Sequence, residues 1–275
     1  MTDSPEERAF RALTEKITQA RGVSCDAYKD RCLKRRIAVR MRARGVHSFT
    51  DYSRLLDADG HEYDRLLDAL TINVTKFFRN AETWIALAPF LAERWRARSG
   101  AVAVWSAGCA SGEEPYTIAA ALAETARTTG TSEWLPRASV LATDIDRVSL
   151  ERSTAARYPA GAFSETPAEV LRRWIEPPAA DGTRAPVDAV RSLVKIQRHD
   201  LTTARSPGGP FDLVVCRNVV IYFDRETQER LFQLFATTLR PEGLLLLGKV
   251  ETLLGPAREM LRMENPRERI YRRPA

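Results

Sequence analysis

Four cysteines are scattered over the 275 residues, Cys25, Cys32, Cys109 and Cys216, with no short paired spacing. That excludes a disulfide framework and a zinc knuckle, and predicts free thiols and no metal site. No apolar run approaches the ~18 residues a membrane-crossing helix needs, and the segment through Arg11 is charged from its start. Neither membrane insertion nor a signal peptide is expected, and the chain should stay in the cytoplasm. There is no Gly-Lys-Ser/Thr phosphate loop, no internal repeat and no low-complexity tract. What remains is an ordinary soluble composition, 44% hydrophobic and 28% charged, with length for one large domain or two smaller ones.

Charge is unevenly placed. The first hundred residues carry 19 Lys+Arg against 14 Asp+Glu, so nearly all of the net +6 is N-terminal. Its centre is residues 29–44, where Lys29, Arg31, Lys34, Arg35, Arg36, Arg40, Arg42 and Arg44 face only Asp30. Leu33, Ile37 and Met41 recur at every fourth position, the buried stripe of a helix, with Arg31, Arg35 and Arg42 on the opposite face. The dense positive face, Arg31, Arg35, Arg36, Arg40 and Arg42, reads as a docking surface for an acidic partner. A solvated face and nucleic-acid binding are the alternatives.

Residues 1–70 read as helices only, with apolar positions at helical spacing in Phe10, Leu13 and Ile17 and again from Tyr52 to Leu70, broken at Gly22, Gly45 and Gly60. Residues 71–100 read as a linker and a connecting helix. From residue 101 strands alternate with helices, which predicts a doubly wound parallel sheet. Strands are expected near 101–106, 138–144, 193–198, 211–216 and 243–249, with a hairpin of 260–263 and 269–272 closing an edge. Prolines and Gly182 interrupt the rhythm over about 160–195 and mark an insertion.

Residues 104–115 (Val-Trp-Ser-Ala-Gly-Cys-Ala-Ser-Gly-Glu-Glu-Pro) form a strand, a loop of small residues with Gly108 and Gly112, and a helix start. Small side chains let a ligand approach the backbone, and a helix N-terminus offers unpaired N–H groups. Glu113 and Glu114 would repel phosphates and suit a ligand bearing hydroxyls and positive charge, such as a sulfonium nucleoside. Ligands of doubly wound sheets bind at the carboxyl ends of the strands. There the second strand ends in Asp144, placed to accept hydrogen bonds from ribose hydroxyls, while Asp146 reads as a helix cap. The fourth strand ends in Arg217-Asn218, with Ile221-Tyr222-Phe223-Asp224 following. Asn73, Thr75 and Arg79 lie in the junction between the helical module and the sheet, where a cleft is expected.

Asn73-Val74-Thr75-Lys76-Phe77-Phe78-Arg79, residues 105–116, Ala142-Thr143-Asp144-Ile145-Asp146 and residues 216–224 together resemble, in order, the motifs of the CheR-type chemotaxis receptor methyltransferases. The resemblance runs from the basic helix to the end of the chain. It implies S-adenosylmethionine as methyl donor, with S-adenosylhomocysteine as product. It implies as acceptor the glutamates in the cytoplasmic helical region of methyl-accepting chemotaxis receptors, giving γ-glutamyl methyl esters. The implied architecture is a helical N-terminal domain (1–70) and a Rossmann-like methyltransferase domain (101–275) with a small antiparallel β insertion, in a chain expected to be a monomer. Carried over by motif, Asn73, Thr75, Arg79, Glu114, Asp144, Arg217 and Asn218 line the donor site, to which the reading of the loop itself adds Gly108 and Glu113. Asp200 and Leu201 are a looser match, since the family often has Asn in place of Asp200.

Departures are Ala110-Ser111 in place of Ser-Thr, Lys249-Val250-Glu251 in place of His-Ser-Glu, and an insertion without the glycine-rich loop of members that dock on a receptor's C-terminal pentapeptide. A glutamate with an ordinary pKa of ~4.3 is ionised at neutral pH, so the transfer needs alignment rather than a general base. Arg79 is the candidate for orienting the acceptor carboxylate and Tyr222 for packing against the reacting centre. A nucleic-acid methyltransferase would display an Asn/Asp-Pro-Pro-aromatic tetrapeptide where Arg217-Asn218-Val219-Val220 stands. A donor-binding sensor without transfer is the non-enzymatic alternative.

Overall fold

The computed structural model describes residues 4–21, 24–70 and 75–275, which form two compact units: Met1–Asn73 with Tyr222–Thr227, and Val74–Ile221 with Gln228–Ala275. The division differs from the boundaries expected from the sequence. The helix expected to connect the modules belongs with the sheet unit, and the short segment after the fourth strand belongs with the helices. Asn73 and Gly22 lie outside the described residues.

The first unit contains α1 (Pro5–Arg21), α2 (Asp30–Ala43), α3 (Phe49–Ala58) and α4 (Gly60–Leu70). Phe10, Leu13 and Ile17 of α1 and Leu33, Ile37 and Met41 of α2 are buried, as the periodicity requires. Ser48 caps α3, accepting from the Asp51 N–H at 3.1 Å. At its centre lies a carboxylate that helical patterning does not announce. Glu62 of α4 has no exposed surface and takes both ends of the Arg40 guanidinium at 2.9 and 2.8 Å, Arg44 at 3.0 Å and the Tyr52 hydroxyl at 2.8 Å. Burial alone would raise the Glu62 pKa, but these donors outweigh it and hold it below the usual carboxylate range.

The second unit opens with α5 (Ala81–Ala97), then β1 (Ala103–Ala107), α6 (Glu113–Thr128), β2 (Ser139–Asp144), α7 (Arg147–Ala155), α8 (Ala168–Trp174) and α9 (Asp188–Arg191). It continues through β3 (Val194–Arg198), β4 (Phe211–Cys216), α10 (Arg225–Thr238), β5 (Leu239–Leu247), α11 (Ala257–Met260), β6 (Arg262–Asn265) and β7 (Ile270–Arg272). The seven-stranded sheet has the order β3-β2-β1-β4-β5-β7-β6. The first five strands are parallel, and β7 runs antiparallel between β5 and β6. The order reverses between β1 and β4, so their carboxyl ends open the crevice in which such sheets bind ligands.

Two expectations need correction. β5 begins at Leu239 rather than at 243, because the Arg240-Pro241-Glu242-Gly243 stretch that reads as a turn is an irregularity within the strand pairing. The insertion is not a strand-built subdomain: it holds α8, α9 and two isolated antiparallel bridges, Tyr158 with Arg184 and Ile175 with Pro186. Backbone pairing there is antiparallel but short: Tyr158 and Arg184 exchange N–H bonds at 2.9 Å, and the Glu176 N–H donates to the Ala185 carbonyl at 2.8 Å, while Pro186 has no N–H to extend the pairing. No helix among the described residues is long and apolar enough to cross a membrane.

Candidate functional site

The loop after β1 is built by the neighbouring strand ends. The Gly108 and Cys109 N–H groups both donate to the Thr143 carbonyl, at 2.8 and 2.9 Å, and the Ala110 N–H donates to Asp144 Oδ2 at 2.8 Å. Gly108 has φ +80°, and a Cβ there would lie 2.5 Å from Val219 Cγ2. The glycine therefore admits the loop after β4 at close range. From the insertion, the Tyr158 hydroxyl donates to the Ser111 carbonyl at 2.8 Å. Sequence reasoning missed this brace, because nothing in a lone tyrosine after α7 announces it.

The two glutamates that begin α6 part company. Glu114 accepts from Ser106 Oγ at 2.9 Å and faces Arg217, whose Nη1 lies 3.9 Å from Oε2. Burial raises its pKa, and Arg217 and Arg79 offset the rise. Glu113 is 7% exposed and accepts from Ser111 Oγ at 2.7 Å within its own loop. In this position it braces the turn.

Asp144 Oδ1 accepts from the Asp146 N–H at 3.0 Å. Burial raises its pKa, and the backbone N–H groups of Asp146 and Ala110 counter it. Backbone N–H groups thus reach both oxygens, and the two oxygens together have acceptor capacity to spare. Asp146 caps α7 through Val148 N–H at 3.0 Å and Ser149 Oγ at 2.8 Å, as its position suggested. The exit of β3 comes to the same place, since the His199 N–H donates to the Asp144 carbonyl at 2.9 Å. Asp200 there caps a single turn, its Oδ1 taking the Thr202 N–H at 2.9 Å and Oγ1 at 2.7 Å, while Leu201 is buried.

At the end of β4, Arg217 is 7% exposed; its Nη2 donates to the Arg79 carbonyl at 3.0 Å and to Asn80 Oδ1 at 2.9 Å, and its guanidinium lies 5.6 Å from the Trp84 ring centroid. It holds the Arg79 segment in place, and its Nε is buried with no hydrogen-bond partner among the described residues. Burial lowers its pKa, Glu114 opposes that, and the Arg79 charge adds to it. Arg79 is half-buried and within electrostatic reach of both, and Thr75 is half-buried too. Asn218 adopts φ +61°. Glu251, which sequence reasoning left without a role, is 2% exposed behind this loop.

In the first unit, the Lys29 N–H donates to the Tyr222 carbonyl at 3.0 Å, and the Arg36 guanidinium stands 4.3 Å from the centroid of the Tyr222 ring. One face of that ring is therefore already engaged by a cation. Arg36 is 5% exposed and Arg40 is spent on Glu62, so neither belongs to the outward docking face expected of them. Arg31, Arg35 and Arg42 are exposed, and their side chains make no hydrogen bond or ion pair among the described residues. The departure after β5 has a partial account: Lys249 pairs with Glu82 at 2.5 Å and Glu268 at 3.3 Å, and nothing in the structure explains Val250.

The charge of this site suits a sulfonium nucleoside. Two desolvated carboxylates, Glu114 and Asp144, border a glycine loop at the sheet's switch point, an environment that favours a cation and ribose hydroxyls over phosphate. The residues present fit that group.

Two family models match the chain: the CheR methyltransferase all-alpha domain over residues 8–71 and the CheR methyltransferase SAM binding domain over residues 73–269. A chemotaxis protein methyltransferase of Klebsiella aerogenes is 36% identical over 88% of this chain and 82% of its own length. That of Escherichia coli K12 is 34% identical over 88% and 83%. Chemotaxis protein methyltransferase 2 of Pseudomonas aeruginosa is 33% identical over 89% and 86%.

Proposed function

The chain belongs to the CheR methyltransferase family and is an S-adenosylmethionine-dependent methyltransferase, and from that premise we propose that it methylates glutamate side chains of chemotaxis receptors. The donor supplies an electrophilic methyl group on a positively charged sulfur. A carboxylate oxygen displaces it in line: an O–CH3 bond forms as the S–CH3 bond breaks, and the sulfur keeps the bonding pair. No proton moves at the reacting atom, because a glutamate with pKa ~4.3 is already ionised.

The protein's own work is alignment and electrostatics. Asp144 holds the ribose hydroxyls, and Glu114, paired with Arg217, supplies the negative environment for the donor's charged end. Thr75, Asn73, Asn218, Asp200 and Leu201 complete the donor site by motif. Arg79 orients the acceptor carboxylate, and Tyr222 is assigned by its motif to packing against the reacting centre. Arg31, Arg35 and Arg42 meet the acidic receptor helices. The observation that carries the reading is the pair of half-buried carboxylates, Glu114 and Asp144, beside the glycine loop. The test is transfer of a labelled methyl group from S-adenosylmethionine to a cytoplasmic receptor fragment. Label released as methanol by mild base marks an ester, whereas base-stable label or labelled RNA overturns the assignment.

A further inference from the structure

Glu251 stands four residues past the end of β5, and its charge is met by a ring of backbone amides. Oε2 accepts from the Gly248 N–H at 2.6 Å and the Asn218 N–H at 3.0 Å. Oε1 accepts from Val219 at 2.9 Å and Val220 at 3.1 Å. Three of these donors are successive residues of the loop after β4, whose preceding residue is Arg217. Successive N–H groups turned to one point make an anion cradle, here filled by the protein's own carboxylate. Only a carboxylate suits the place, because an amide would set an NH2 donor against N–H donors.

Gly248 makes the approach possible: a Cβ there would lie 2.7 Å from Glu251 Oε2 and 2.9 Å from Asn218 N. Asn218 is held at φ +61°, a conformation non-glycine residues keep only where the surroundings over-determine it.

We infer that Glu251 is a positioning residue for methyl transfer: its carboxylate holds residues 217–220 in the conformation that presents Arg217 and Asn218 to the donor. The inference rests on the donor-site reading above and is tested without the receptor. Glu251→Gln keeps the volume and removes the matching acceptor. Titration with S-adenosylhomocysteine should show at least a tenfold weaker Kd, single-turnover transfer at saturating donor should slow at least tenfold, and KM for the receptor fragment should stay unchanged. Glu251→Asp, which keeps the charge, should recover part of the lost affinity. A folded Glu251→Gln protein with lowered Tm but the parent Kd and single-turnover rate would show a merely structural role and overturn the inference.

Should that variant not fold, Gly248→Ala displaces the carboxylate without removing it, and a parental Kd in folded Gly248→Ala overturns the inference equally. Hydrogen exchange on the unmutated protein gives a third reading. The amides of 218–220 should be protected at neutral pH, and free exchange there sinks the idea. A wild-type chain that binds S-adenosylhomocysteine yet methylates no receptor counts against the proposed acceptor and leaves the role of Glu251 standing.

Discussion

Asp144 and Arg79 separate two kinds of contribution that a methyltransferase site must make. Asp144 has backbone N–H groups on both oxygens and acceptor capacity to spare, so its proposed work is to bind. Asp144→Ala should lose one or two charge-assisted hydrogen bonds, roughly 1.5–3 kcal/mol each, and weaken S-adenosylhomocysteine at least tenfold in calorimetric titration. An unchanged Kd in the folded variant removes Asp144 from the site. Arg79, near Glu114 and Arg217, is assigned to the acceptor. Arg79→Ala should therefore cut the single-turnover rate by ten- to a hundredfold while donor affinity falls less than threefold. Equal losses in both would make it a donor contact only.

Along α2 one helix carries three assignments in successive turns. Leu33, Ile37 and Met41 fill the core, Arg36 and Arg40 turn inward to Tyr222 and Glu62, and Arg31, Arg35 and Arg42 point out. Exposed charges are screened over ~8 Å at physiological ionic strength and set encounter rates more than final affinity. Reversing Arg35 and Arg42 to Glu should raise the apparent KM for receptor several-fold and flatten its salt dependence, with donor Kd unchanged. Normal receptor methylation by the double variant would return the cluster to a solvated face. Steep salt-dependent binding of structured RNA by the parent, lost on reversal, would favour the nucleic-acid reading instead. The helix itself was legible in the apolar period. Which arginines turn inward was not, because the partners that draw them in, Tyr222 and Glu62, lie far away in sequence.

Over the whole molecule, buried or half-buried carboxylates set the response to acid. In the sheet unit, Glu124 of α6 takes Arg127, Arg173 and the Trp174 indole, the last at 2.9 Å, and these donors hold its pKa down at about 2. A carboxylate whose folded pKa lies below its unfolded value of ~4.3 adds stability that is complete above the unfolded value and fades as pH falls toward the folded one. The window for Glu124 is therefore between pH ~4.3 and 2. Trp174 fluorescence should report loosening of α8 in that window, and Glu124→Gln should show lower stability at pH 7 with a flatter acid limb. A variant with the parent's acid profile would show that the contact contributes nothing. Glu62 in the helical unit has the same sign: its pKa is depressed, so its contribution is present at neutral pH and lost in acid.

Local chemistry written into the chain decided the helical N-terminal unit, the alternating strands, the glycine loop and the carboxylates at strand ends. Apolar period, turn residues and cap residues act over a few positions and need no distant partner. The resemblance of four motifs added the donor. Tertiary structure decided what those residues do to one another. It alone turned Glu113 into a loop brace and Glu114 toward Arg217, made Gly108 a requirement of Val219, and gave α5 to the sheet unit and Tyr222 to the helices. It also denied the insertion a sheet. Glu251 is the clearest case: its donors come from residue 248 at one strand exit and from residues 218–221 at the other, and a carboxylate's place among backbone amides exists only once the two exits have been brought side by side.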